Sequence, residues 1–152
     1  MTSVLAAVRP DSWNIALFLH VLGAMILVGG VLTCAAMLGF ARGDVRLLRF
    51  GYWSLLVVAL PGWILMRIGA QWIYSKEGWD DVSDTPAWLG IGYLTAEGGG
   101  VVQLVSLIVG GIGIRRLRDG RGAGLLRATM ILSIVLLTAY IATVWAMAGK
   151  PD

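Results

Sequence analysis

Four long, predominantly apolar stretches, each fenced by charge, limit what this chain can become more than any other feature of its sequence. They cover about residues 13–41, 47–74, 93–114 and 122–148. A helix rising ~1.5 Å per residue needs about 20 apolar residues to cross a hydrocarbon core of ~30 Å. Each stretch reaches that length. Backbone polar groups in lipid must be satisfied within the segment, so the four stretches are expected to be helical. Nothing alternates with period two, as the strands of a membrane barrel would. The expected fold is all-α: a single membrane domain over residues 1–152, built as an antiparallel bundle of four membrane-crossing helices. Composition agrees, with 58% hydrophobic and only 14% charged residues, against roughly a quarter charged in a soluble domain.

Charge placement gives the chain a direction. Arg42, Arg46 and Arg49 gather in the first loop, and Arg115, Arg116, Arg118 and Arg121 in the third, with Arg127 just inside the last stretch. The second loop, residues 75–92, carries Glu77, Asp80, Asp81 and Asp84 against Lys76 alone. Arginine-rich loops stay on the cytoplasmic side. Loops one and three are therefore expected inside, and loop two with both termini outside. Trp13, Trp72, Tyr74, Trp79, Trp88, Tyr93 and Trp145 fall near the outer boundary, and Tyr52 and Trp53 near the inner one, where an apolar ring with a polar edge is favoured. Asp84-Thr85-Pro86 reads as a cap followed by a first-turn proline, so a short interfacial helix is expected from Pro86 to about Gly92.

Inside the second stretch, Pro61 is expected to kink the helix near mid-membrane. Gly29-xxx-Thr33, Ser106-xxx-Gly110 and Ala139-xxx-Thr143 are small-residue pairs that let helix backbones approach. The spacing does not say which helix meets which.

Ionisable groups in lipid are costly, and three need a reason: His20, Arg67 and Glu97. Helical rise sets His20 about 10 Å below Trp13, Arg67 about 10 Å below Tyr74 and Glu97 about 6 Å below Tyr93. Tyr140 in the last stretch reaches a comparable depth. Two readings stand. In one, Arg67 pairs with Glu97, Gln71 one turn away completes the hydrogen bonding, and the group locks two helices together. In the other, His20, Arg67, Gln71, Glu97 and Tyr140 line a polar pocket opening on the outer face.

The chemistry open to such a chain is narrow. Arginines confined to two short loops make no continuous basic face, so no nucleic acid is expected as a partner. No Ser-His-Asp or paired-carboxylate arrangement appears, and no enzyme activity is expected. Gly98-Gly99-Gly100 lacks the Lys and Thr of a phosphate loop. Zinc would lack ligands, and the six methionines form no cluster that would suit copper. His20 is the one candidate metal ligand. A haem would need His20 from two subunits, or a second ligand such as Met25. No cofactor is expected. The single cysteine, Cys34, reads as a small buried hydrophobe.

The run Leu17-Phe18-Leu19-His20-Val21-Leu22-Gly23-Ala24, followed by Val28-Gly29-Gly30, resembles small uncharacterised bacterial four-helix integral membrane proteins. It is distantly similar to the membrane domain of copper-resistance D proteins. The first resemblance implies a four-helix protein of the bacterial plasma membrane. The second implies copper handling, with His20 the one position that carries over. The residues themselves suggest a non-catalytic accessory or scaffold subunit of a larger envelope complex, respiratory or transport, with lipid and other membrane subunits or itself as partners. A haem, metal or small-molecule binder around His20 is the alternative, and a small oligomeric transporter using Glu97 and Arg67 is a further one.

Overall fold

The computed structural model describes residues 13–78 and 86–149. They form four long helices: α1 (Asn14–Phe40), α2 (Val45–Glu77), α3 (Ala87–Arg116, continued by a 3-10 turn at Leu117–Asp119) and α4 (Ala123–Gly149). All four are long and apolar enough to cross a bilayer. Large side chains such as Phe18, Met25, Leu94, Ile108 and Trp145 stand outward, while the interior is lined by Gly, Ala, Ser, Thr, Cys and a few Leu. Buried hydroxyls bond mostly within their own helices, although Ser133 Oγ also donates to Cys34 Sγ of α1 at 3.4 Å. Ser106, Thr129 and Ser133 each return a hydrogen bond to the carbonyl four residues earlier.

Around the bundle the order is α2, α1, α4, α3. α1 packs against α2 and α4, α4 packs along α3, and the seam between α2 and α3 is the loosest, although those two helices are consecutive in the chain. Tight turns join the other pairs. Between α1 and α2, the Asp44 N–H donates to the Ala41 carbonyl at 2.6 Å across Arg42 and Gly43, both at positive φ. The Asp44 carboxylate then caps α2 by accepting from the Arg46 N–H at 2.8 Å. Seven arginines gather around these two turns, at what we call the arginine end. At the opposite, tyrosine end, the rings of Tyr74 and Tyr93 meet edge to face at 5.3 Å.

Three expectations are modified. Residues 86–92 do not form a separate helix but run straight into α3. Leu89 and Gly92 are buried, and Gly92 lies against Met147 of α4, so packing on α4 keeps this segment on the axis of the long helix. The proposed cap at Asp84 and Thr85, like Trp79, lies outside the described residues. Pro61 is preceded by a π-helical turn at Leu55–Ala59, where the Leu60 N–H reaches back to the Leu55 carbonyl. This wider turn gives room to the proline ring, which would otherwise press on the preceding turn. Gly29 and Thr33 are not a helix contact: Gly29 faces open space, and Thr33 Oγ1 simply donates to the Gly29 carbonyl at 2.8 Å.

The close contact of α1 is made by other glycines. Gly23 and Gly30 on α1 and Gly62 and Gly69 on α2 are each seven residues apart, and all four press on the backbone of the facing helix. A Cβ on Gly62 would sit 2.5 Å from Leu27 N, and one on Gly69 2.5 Å from His20 N. A seven-residue repeat stays on one face of helices crossing at a shallow left-handed angle, so two glycines serve each helix along most of its length. Ser54 Oγ adds a cross-helix bond to the Gly30 carbonyl at 3.2 Å.

Gly62→Ala and Gly69→Ala should therefore each destabilise the bundle by about 1–3 kcal/mol. Gly29→Ala, pointing into open space, should be neutral or stabilise by up to ~1 kcal/mol. Reversible unfolding in mixed detergent measures all three.

Candidate functional site

α2 and α3 diverge enough to leave a groove of about 380 Å³ toward the tyrosine end, lined by Trp63, Arg67, Ile68, Gln71 and Glu97. Its centre is an ion pair. Arg67 Nε donates to Glu97 Oε1 at 2.6 Å, and Arg67 Nη1 donates to Gln71 Oε1 at 3.1 Å. The guanidinium also lies 5.2 Å from the centroid of the Tyr93 ring, and the Tyr93 hydroxyl donates to Gln71 Oε1 at 3.4 Å. One turn further in, Trp63 Nε1 donates to the Ala96 carbonyl at 2.8 Å, and the indole closes against Gly100, which has no side chain to hold it off. The helical spacing explains the assembly: Trp63, Arg67 and Gln71 repeat every four residues, so they share one face of α2.

The pair is not enclosed. The Glu97 side chain is 57% exposed and that of Arg67 25%, so the carboxylate faces outward from the bundle while its partner is partly tucked in. Ile68, Leu94 and Val101 around it are exposed and apolar.

Of the five residues considered together from the sequence, three meet here: Arg67, Gln71 and Glu97. His20 lies elsewhere, in the α1–α2 seam. Its Nδ1 is 3.1 Å from the Met66 carbonyl, which can only accept, so Nδ1 carries the proton and the ring ties α1 to α2. Met25, considered as a second haem ligand, is exposed on the outside of α1. Tyr140 is buried between α4 and α3, its hydroxyl against Gly99, and finds no hydrogen-bond partner among the described residues. Groups of three or more His, Cys, Asp or Glu able to hold a metal do not occur among the described residues.

Gln103 did not stand out in the sequence, yet it is the most unusual interior residue. It is 1% exposed, and neither Oε1 nor Nε2 has a partner among the described residues. It follows Gly99 and Gly100 by four and three residues, so it shares their buried face of α3, and long helical side chains lean back toward the preceding turn, here that of Gly99. The available signal was an amide alone in a run of Val, Leu and Ile, a polar group that lipid disfavours as it does a charge. Compared with models of known protein families, with curated proteins and with solved structures, the chain matches none.

An amide buried without a partner opposes folding, and removing it at constant shape relieves that cost. Gln103→Met is expected to leave thermal stability unchanged or raise it by about 1 kcal/mol. A loss above ~2 kcal/mol in a detergent unfolding assay would show that the amide is bonded in the folded protein.

Proposed function

We propose that this chain is a non-catalytic, multi-pass protein of a bacterial plasma membrane that serves as an accessory or scaffold subunit of a larger envelope assembly. The carrying observation is the carboxylate of Glu97, 57% exposed on a helix face whose other exposed residues are apolar. Acceptor lone pairs turned toward hydrocarbon are costly, and a helix from another subunit that donates to Glu97 removes that cost while using the groove beside Trp63. A loose α2–α3 seam, next to tight seams everywhere else, is consistent with a face reserved for such a helix.

Arginine content at one end supports the inside assignment of the two short turns, with both termini outside. In a Cys34→Ser background, a cysteine at Gly120 should resist a membrane-impermeant thiol reagent in intact cells, whereas one at Gly78 should react. The reverse pattern would invert the topology.

Affinity purification in mild detergent tests the subunit reading. The wild-type chain should return with a defined membrane partner, and Glu97→Gln should lose that partner. The variant should still purify as a folded chain, since the glutamine amide oxygen keeps an acceptor for Arg67 Nε, so loss of the partner is read apart from loss of the fold. Recovery of the wild-type chain alone, repeatedly, overturns the proposal.

A second reading is favoured by the groove itself, whose indole wall and polar rim suit a small amphiphilic molecule. Its haem and metal versions are tested by an absorption spectrum and elemental analysis of the purified protein. A flat Soret region and no bound metal remove both.

A further inference from the structure

The α2–α3 seam holds a second pocket, at the arginine end. It has a volume of about 390 Å³ and is lined by Arg49, Trp53, Ile114, Arg115 and Arg118. Arg49 and Trp53 stand one turn apart on α2, Arg115 lies in the last turn of α3, and Arg118 follows in the 3-10 turn. Three arginines thus come from two helices, Arg49 from α2 and Arg115 and Arg118 from the end of α3, to line one small space. None is in an ion pair among the described residues, and the Arg67–Glu97 bridge lies at the far end of the bundle. The nearby acids do not enter the pocket lining, and Asp44 is occupied in capping α2. Like charges gathered in this way repel one another, and an anion with several acceptor oxygens relieves the repulsion.

We propose that this pocket binds the phosphate headgroup of an anionic phospholipid. Charge calls for a phosphate, and the surroundings favour one that carries acyl chains. Trp53 is 53% exposed, and Val57 one turn along α2 is likewise outward. On α3, Ile112 and Ile108 form a matching exposed row leading away from Arg115. The two apolar rows flank the seam where the helices touch least, so acyl chains can lie along it while the headgroup sits among the arginines. A free phosphate would use only the arginines. Basic pockets between membrane helices, with a tryptophan at headgroup level, suit acidic lipid for the same reason. The site is independent of any partner at Glu97.

The full chain, purified in a neutral detergent, is titrated with phosphatidylglycerol, with phosphatidylcholine, and with inorganic phosphate, and retained lipid is read by native mass spectrometry. Phosphatidylglycerol should bind in preference to phosphatidylcholine, and excess inorganic phosphate should not displace it. Affinity should fall about fivefold for each arginine removed in the series R118Q, R49Q/R118Q and R49Q/R115Q/R118Q. The triple variant R42Q/R46Q/R121Q makes the same change in net charge outside the pocket and should bind as the wild type does. R118Q alters one exposed turn residue and keeps the test valid if the triple pocket variant fails to fold. Equal retention of the two lipids, equal loss in the control variant, or displacement by inorganic phosphate overturns the proposal.

Discussion

The approach of α1 to α2 at Gly23, Gly30, Gly62 and Gly69 is the contact on which the rest of the bundle depends. Lipid offers no hydrophobic drive to press helices together, since its tails are as apolar as leucine, so association rests on close packing and on whatever polar bonds the approach permits. Removing four Cβ atoms brings the two backbones together and allows His20 Nδ1 to reach the Met66 carbonyl and Ser54 Oγ the Gly30 carbonyl. Neither bond would form across an ordinary helix separation. With α2 drawn so tightly onto α1, it stands away from α3, and α3 is held instead by α4 through Gly92, Gly99, Gly110 and Gly113. The two grooves described above lie in the seam this leaves open.

That division sorts the polar residues by seam rather than by depth. Arg67, Gln71, Glu97 and Tyr93 line the open seam and bond to one another there, with the Glu97 carboxylate still turned outward. His20 is used up in the closed one. Tyr140 and Gln103 point into the interior, where small residues leave space but supply no partner among the described residues. Two chemically distinct grooves result along one face: a mixed-charge groove with an indole wall at the tyrosine end, and a purely cationic one at the arginine end. The wide π-helical turn and Pro61 lie between them on α2.

Several features were legible in residue order because they depend on the solvent alone. Four blocks of apolar residues gave four helices, and the spacing of Arg67 and Gln71 put them on one face that Glu97 could reach. Others depended on a neighbour. Residues 86–92 carry two glycines and a leading proline, which reads locally as a break, yet Leu89 is buried, Gly92 packs on Met147 of α4 and the helix continues. Gly29 and Gly30 are adjacent and chemically identical, and only the direction of α2 makes Gly30 a contact and Gly29 a lipid-facing position. The burial of Gln103 is not legible either, because nothing in its own sequence neighbourhood distinguishes an inward amide from an outward one.

By itself, the sequence determined the fold class and the placement of charge along the bundle axis, because hydropathy and helical rise act on each segment independently of the others. The tertiary structure decided what is next to what around that axis. An α-helix surrounded by lipid can be apolar on every side, so no polar face announces the direction of its neighbours, and only the fit of glycine against backbone selects it. That selection paired Arg67 with Glu97 in an open seam, removed His20 from their company, and brought Arg49, Arg115 and Arg118 to a single pocket.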